Sequence, residues 1–201
     1  MMRGKFFTFE GIDGSGKTTI SKMVYEEVRK KWHAVWTKEP TDKWTGKAVV
    51  RAINEKKDDV TIALLFTADR NEHVKKIKKW MDEGKVVICD RYADSTIAYQ
   101  SVNLSSIDTP MEWLKKMLSP FYIKPDITFL FILDPSVAIK RIGDRKLSPF
   151  EKISFLDKVQ KNYIEIAENE DRFIKLDATE SKEKLKEKCL KIVEKEMGYG
   201  L

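Results

Sequence analysis

The chain has little cysteine, little histidine and no long apolar run. Its 201 residues include two cysteines, Cys89 and Cys189. Two cysteines do not make a disulfide framework, so we expect reduced thiols and a cytoplasmic location. No apolar run approaches the ~20 residues that a membrane helix needs. Residues 1–5 lead directly into a strand-like run, without the pattern of a signal peptide.

The net charge of +6 admits two interpretations. A basic protein can bind nucleic acid, or it can combine a lysine-rich solvated surface with a small anionic substrate. Lysines are spread over several predicted helices, at 30–31, 75–79 and 182–195, and do not form one basic tract. This spread favours the small anionic substrate.

Apolar runs alternate with helical patterns along the chain. Five strands are predicted, at Lys5–Glu10, Ala34–Thr37, Lys85–Cys89, Ile127–Leu133 and Arg172–Leu176. Eight helices are predicted, at Lys17–Lys31, Thr45–Glu55, Val60–Glu83, Asp94–Gln100, Pro110–Leu118, Pro135–Ile142, Phe150–Asn169 and Ser181–Met197. The alternation predicts one α/β domain over residues 1–201, a three-layer fold whose five-stranded parallel sheet is flanked by helices. Ligand-binding side chains are expected at the carboxyl ends of the strands.

Residues 11–18 form a phosphate-binding pattern directly after the first predicted strand. They read Gly11, Ile12, Asp13, Gly14, Ser15, Gly16, Lys17 and Thr18, and all eight are candidate ATP contacts. The glycines let backbone N–H groups surround phosphate oxygens, Lys17 reaches the terminal phosphates and Thr18 holds Mg²⁺. The alternative is a glycine turn before a helix with an ordinary surface lysine. The strand before the motif and the helix after it favour the nucleotide site, a P-loop.

The third predicted strand ends in Asp90 and Arg91. Four apolar residues before an aspartate are typical of a Walker B strand, whose carboxylate organises Mg²⁺. Asp134 is a second candidate, but it precedes Pro135 and a helix, so a helix N-cap explains it. A structural salt bridge is the alternative for Asp90 and Arg91. Their position beside the P-loop favours contact with the metal and with bound phosphates.

Phe66 and Arg70 lie four residues apart on one predicted helix and therefore share a face. An aromatic ring can stack on a nucleobase, and a guanidinium can hydrogen-bond to its edge. The alternative is a core phenylalanine beside a surface salt bridge. Spacing alone does not decide between the two.

Several segments together resemble the motifs of thymidylate kinases. The signature is residues 90–100, DRYADSTIAYQ; the segments 11–19 (GIDGSGKTT), 37–40 (TKEP), 64–70 (LLFTADR) and 134–141 (DPSVAIKR) occur in the family's order. The resemblance covers nearly the whole chain. It implies a P-loop kinase fold with a short lid and a homodimer. It also implies transfer of the γ-phosphoryl group of ATP to dTMP, giving dTDP and ADP for dTTP synthesis.

The resemblance also implies roles for residues of the acceptor site. Phe66 stacks on thymine, and Arg70 contacts its carbonyl edge. Thr96 and Gln100 occupy positions that hydrogen-bond the base in the family. Tyr99 lies where a ring disfavours a ribose 2′-OH.

Further acceptor contacts are implied near the phosphate. Asp13 would lie by the 3′-OH, and Arg51 and Arg91 would reach the acceptor phosphate. Glu39 belongs to a loop that usually reads Arg-Glu-Pro. In this chain Lys38 replaces the arginine, which keeps the charge but loses the bidentate geometry.

The predicted lid, approximately residues 141–150, would supply the remaining catalytic cations. Some family members carry an arginine inside the P-loop, where this chain has Gly14, and those without it place the arginine in the lid. We therefore expect Arg145 to close over the transferred phosphoryl group, with Arg141 second and Lys146 also available. A solvated basic loop is the alternative.

The predicted chemistry needs cations more than a base. A phosphomonoester is mostly dianionic at neutral pH, so Lys17, Mg²⁺, Arg91 and the lid arginines suffice. His33 and His73 are therefore interpreted as surface or boundary positions of helices.

Two alternative functions differ from dTMP phosphorylation in testable ways. The first is a kinase for another nucleoside monophosphate such as dUMP, or for a deoxynucleoside, which would need a base such as Glu10 or Glu39. The second is a P-loop ATPase stimulated by nucleic acid, whose binding would depend steeply on salt.

Overall fold

A computed structural model of the chain describes residues 3–104, 106–143 and 149–198. The strands are Phe6–Gly11 (β1), Ala34–Lys38 (β2), Val86–Asp90 (β3), Ile127–Ile132 (β4) and Phe173–Asp177 (β5). The α-helices are Lys17–Val28 (α1), Trp44–Asn54 (α2), Asp59–Asp82 (α3), Ala93–Asn103 (α4), Pro110–Leu118 (α5), Pro135–Ile142 (α6), Pro149–Glu168 (α7) and Lys182–Glu196 (α8). A short 3₁₀ helix, Ser119–Phe121, follows α5.

The five strands form one parallel sheet in the order β2-β3-β1-β4-β5. Helices pack on the sheet, and the predicted α/β fold with five parallel strands is confirmed. Because β1 and β3 are neighbours, the P-loop that follows β1 lies beside the segment that follows β3. The backbone N–H of Arg91 donates to the carbonyl of Phe9 at 3.0 Å, which ties the two segments together.

The central strands are buried because each presents apolar side chains to both faces. On one face Phe6, Val87 and Cys89 pack with Ile77 and Met81 of α3. The opposite face, which includes Phe7 and Phe9, belongs to a larger cluster that also contains residues of α1, α7 and α8. Burial on both faces explains why these strands read as continuous apolar runs.

Helix ends follow local capping signals. Asp134 accepts a hydrogen bond from the backbone N–H of Ser136 at 2.7 Å at the start of α6, so the N-cap interpretation of this residue is confirmed. Asp58 caps α3 in the same way, through the N–H of Thr61 at 2.9 Å.

Both cysteines are free thiols and fully buried, Cys89 in β3 and Cys189 in α8. Burial raises the pKa of each thiol above its ordinary value. Among the described helices, none is both long enough and apolar enough to cross a membrane.

Candidate active site

The loop after β1 has the backbone conformation that its glycines permit. Gly11, Gly14 and Gly16 have φ values of 142°, 82° and 87°, which side-chain-bearing residues rarely adopt. A Cβ at position 14 would lie 2.5 Å from the carbonyl oxygen of Ala138, closer than such atoms pack. Helix α6 therefore excludes a side chain at Gly14, and an arginine inside this loop would require α6 to move.

Lys17 begins α1 and is almost completely buried inside the loop. Its Nζ donates to the carbonyl of Ile12 at 3.2 Å and lies 3.8 Å from Oδ1 of Asp13. Burial and the nearby positive charge of Arg91 lower the pKa of Lys17 to about 8. The ammonium thus lies inside the loop, with only one hydrogen bond to the loop backbone.

Arg91 connects the loop to α4. One guanidinium nitrogen donates to the carbonyl of Gly11 at 3.4 Å and to Ser95 at 3.1 Å, while the other donates to Asp13 and to Tyr99. The guanidinium lies 5.0 Å from the centre of the Tyr99 ring. The Tyr99 hydroxyl also accepts the backbone N–H of Asp13 at 2.9 Å. Arg91 is therefore held at the boundary between the loop and α4.

Asp90 and Ser15 provide oxygen atoms suited to a metal ion. Both residues are buried, and neither Asp90 Oδ1 nor Ser15 Oγ has a hydrogen-bond partner within the described part of the chain. Thr18, at the start of α1, is exposed and can add a hydroxyl oxygen. Carboxylate and hydroxyl oxygens are ligands that Mg²⁺ prefers, so this set fits a magnesium ion bound together with phosphates.

Glu10 is a buried residue of β1, and both of its carboxylate oxygens accept hydrogen bonds. It accepts hydrogen bonds from the backbone N–H of Tyr92 at 2.7 Å, from Ser95 at 2.5 Å and from the Tyr163 hydroxyl at 2.9 Å. Burial, followed by the negative charge of Asp94, raises the pKa of Glu10 to about 7. These contacts make Glu10 an anchor between β1, α4 and α7, which disfavours its use as a base.

A cavity of about 370 Å³ opens beside Asp13 and Arg91. Eight of the predicted site residues line it together: Asp13, Glu39, Phe66, Arg70, Arg91, Thr96, Tyr99 and Gln100. Six lining residues were not predicted: Pro40, Ile53, Ile62, Tyr92, Ser95 and Asn103. The volume is in the range of small-molecule sites. We call this space the acceptor cavity.

Arg51 does not line the acceptor cavity. Its side chain is 79% exposed and its Nε donates to Glu55, one turn along α2, at 2.7 Å. The contact with the acceptor phosphate that the resemblance implies therefore requires a side-chain conformation of Arg51 other than the one observed.

Phe66 is half-buried on the wall of the acceptor cavity, and Arg70 is fully buried. The burial of Arg70 excludes a surface salt bridge. Its Nη2 donates to Glu39 at 2.5 Å and to Thr96 at 2.9 Å, whereas Nε and Nη1 have no partner among the described residues. Oε1 of Gln100 is likewise buried and unpaired there. Arg70 and Gln100 thus line the cavity, and each carries buried polar atoms that have no hydrogen-bond partner among the described residues.

The interpretation of His73 as a surface or boundary position is wrong, whereas His33 is exposed as expected. His73 is 3% exposed, and its Nδ1 lies 2.8 Å from Oε1 of Glu39. It lies on the same face of α3 as Arg70, and that face is turned inward even though it is polar.

A second cavity, of about 410 Å³, lies on the other side of the P-loop and is called the donor cavity. It is lined by Gly14, Ser15, Gly16, Ile20, Arg141, Ala178, Glu180, Ser181, Lys182 and Leu185. Two nitrogens of Arg141 donate to the carbonyl of Ala178, each at 3.2 Å. The predicted lid residues Arg145 and Lys146 lie outside the described residues.

Comparison with known proteins gives consistent matches over nearly the whole length. A family model described as "Thymidylate kinase" matches residues 9–189. The chain is 43% identical over 198 residues to a "Probable thymidylate kinase" of Methanosarcina mazei, which covers 96% of each chain. It is 46% identical over 181 residues to a protein of the same description from Methanocaldococcus jannaschii, covering 89% of each chain. A third such protein, from Sulfurisphaera tokodaii, is 42% identical over 193 residues, or 94% of this chain and 95% of the relative.

Proposed function

The chain belongs to the thymidylate kinase family. We therefore propose that it transfers the γ-phosphoryl group of ATP to dTMP, giving dTDP and ADP. One observation carries the choice of base. Arg70 and Gln100 line the acceptor cavity, and they carry two buried, unpaired donors and one buried, unpaired acceptor, respectively. A ring with carbonyl oxygens and an imide N–H, as in thymine, satisfies both kinds of group, and Phe66 supplies a stacking surface.

The proposed chemistry rests on two cations, Arg91 on the wall of the acceptor cavity and Lys17 inside the P-loop. Lys17 and Arg91 would neutralise the phosphates of donor and acceptor as they approach. The acceptor phosphate is itself the nucleophile and is mostly dianionic at neutral pH, so no base is required. This agrees with Glu10, whose oxygens are occupied by three hydrogen bonds. Arg145 is proposed as the lid cation on the sequence alone.

We propose that Thr18 and Asp90 hold Mg²⁺ together with the phosphates of ATP. When bound, the ion would neutralise phosphate charge and orient the terminal phosphate groups. The unpaired Oδ1 of Asp90 supports this proposal, because a buried carboxylate oxygen without a partner is costly unless a cation is bound.

We also propose that residues 1–201 form one kinase domain that acts in the cytoplasm as a homodimer. Support for the homodimer comes from the family resemblance and from exposed apolar side chains. Trp44 on α2 is 76% exposed and Leu64 on α3 is 51% exposed. The neighbouring helices α2 and α3 would then provide part of the dimer face, which size-exclusion chromatography with light scattering would test.

The experiment that tests the function is an acceptor panel. The purified protein is incubated with Mg·ATP and, separately, with dTMP, dUMP, UMP, CMP, AMP or thymidine, and ADP formation is followed. We expect dTMP to be the best acceptor. The proposal fails if dTMP is not among the best acceptors. ATP hydrolysis that rises on addition of DNA or RNA without an acceptor would favour the ATPase alternative.

A further inference from the structure

A chain of hydrogen bonds runs from the edge of the sheet to the acceptor cavity. Oγ1 of Thr37, in the edge strand β2, lies 2.7 Å from Nε2 of His73. Nδ1 of His73 lies 2.8 Å from Oε1 of Glu39, and Oε2 of Glu39 accepts from Arg70 at 2.5 Å. His73, Glu39 and Arg70 are all 5% exposed or less. The two contacts of Glu39 are therefore made away from bulk water, where geometry has its largest effect on energy, whereas Thr37 is half-buried.

The partners of His73 decide which ring nitrogen carries the proton. Glu39 pairs with the cationic Arg70 and is an acceptor, so Nδ1 must carry the hydrogen that points at Oε1. In a neutral imidazole Nε2 is then an acceptor, and the Thr37 hydroxyl can donate to it.

The position of the Glu39 carboxylate fixes the orientation of Arg70. Only Nη2 of Arg70 has partners in the described structure, namely Glu39 and Thr96. A guanidinium is planar, so holding Nη2 fixes the orientation of the whole group, with Nε–H and Nη1 on opposite edges of it. If Glu39 could rotate, the guanidinium would lose this fixed orientation.

On the basis of the proposed function, we propose that His73 is a positioning residue for recognition of the acceptor base. It does not line the acceptor cavity. It acts through Glu39, whose carboxylate it holds so that the guanidinium of Arg70 keeps one orientation at the cavity wall where the carbonyl edge of a pyrimidine would bind. Glu39 selects the Nδ1–H tautomer of His73, and the Thr37 hydroxyl can adapt to it by donating to Nε2.

Two substitutions of similar size separate this role from packing. In His73→Asn the amide nitrogen can take the place of Nδ1 and keep the contact with Glu39. In His73→Gln the amide reaches the place of Nε2, which keeps Thr37 but loses Glu39. We expect His73→Gln to raise KM for dTMP on the order of tenfold, with KM for ATP and kcat nearly unchanged. His73→Asn should stay within about threefold of the parent.

Equal effects of the two substitutions, or an unchanged KM for dTMP in His73→Gln, would overturn the proposal. The parent enzyme supplies the separate check on the function. A parent that does not phosphorylate dTMP contradicts the proposed function, whereas an active parent with indistinguishable variants contradicts only the role of His73.

Nitrogen NMR of the parent protein gives a measurement that needs no variant at the site. With two histidines in the chain, His33→Gln assigns both ring signals. We expect His73 to be the Nδ1–H tautomer and its signal to shift when dTMP is added, while His33 stays unchanged. An Nε2–H tautomer, or a His73 signal that does not respond to dTMP, would contradict the proposal.

Discussion

The acceptor and donor cavities lie on either side of the P-loop and are built differently. The acceptor cavity is lined by polar side chains that are buried and bonded to one another, such as Arg70 and Thr96. The donor cavity is lined by loop glycines and by exposed polar groups, such as Arg141 and Lys182. Fixed side chains can select one ring among similar ones, whereas backbone N–H groups bind phosphates of any nucleotide. We therefore expect substrate selection on the acceptor side and turnover to depend on the P-loop.

The largest expected effect follows removal of the loop ammonium. Lys17→Met should lower kcat about 10³-fold, because it removes the charge that we propose neutralises the transferred phosphoryl group. KM for dTMP should change far less, since Lys17 does not line the acceptor cavity. Steady-state kinetics measure both values, and Lys30→Met, at an exposed position just after α1, is the control. A variant that keeps more than a tenth of the parental kcat would contradict the expectation that turnover depends on the P-loop.

The next effect concerns the predicted lid. Arg145→Ala should lower kcat about a hundredfold, because the proposed lid cation would no longer stabilise the transition state. KM for dTMP should remain close to the parental value. Parental turnover in this variant would instead support a solvated basic loop.

Removal of the stacking ring tests the acceptor side. Phe66→Ala should raise KM for dTMP about thirtyfold, because stacking of a base on an aromatic ring contributes 1–3 kcal/mol. KM for ATP should not change. Lys75→Ala, an exposed position on α3, is the control. An unchanged KM for dTMP together with a lower Tm would show that Phe66 acts in packing instead.

Arg141 tests the donor side with a smaller effect. Arg141→Ala should raise KM for ATP about fivefold, because it removes a guanidinium from the wall of the donor cavity. KM for dTMP should stay the same. If instead kcat falls a hundredfold with KM for ATP unchanged, Arg141 is the lid cation and not a nucleotide contact.

The smallest effect is the pH dependence of ATP binding. The pKa of Lys17 is about 8 in the free protein, and bound phosphates would raise it. Affinity for Mg·ATP is then close to full at pH 7, about half of that at pH 8, and about fourfold lower at pH 8.5 than at pH 7. Isothermal titration calorimetry across this range measures Kd. Lys17→Arg should give a flat profile, and a flat profile in the parent would contradict the lowered pKa.

The sheet could be predicted because its signals are local. Strands such as β1 and β3 are short apolar runs that end in a glycine motif or an aspartate, and the predicted boundaries agree with the structure to within a few residues. The P-loop and the pair Asp90–Arg91 follow from their places at strand ends. Neighbouring strands then bring them together without further information.

The buried polar contacts could not be predicted because their partners are far apart in the sequence. His73 is 34 residues from Glu39. The polar residues of α3 therefore did not indicate that the face of the helix with Arg70 and His73 is buried. Arg51 shows the opposite case. The family resemblance gives its position on α2, but its side chain bonds to Glu55 in the same helix, and spacing does not determine a rotamer.

The two buried thiols can serve as probes of local unfolding in two different regions of the molecule. Cys89 lies in a central strand next to Asp90, and Cys189 lies in α8, which packs against α1. A thiol reagent can modify either one only after the surrounding structure opens, so each modification rate measures the opening free energy of a different region. A nucleotide that slows modification of one thiol and not of the other would identify the part of the fold that it holds closed.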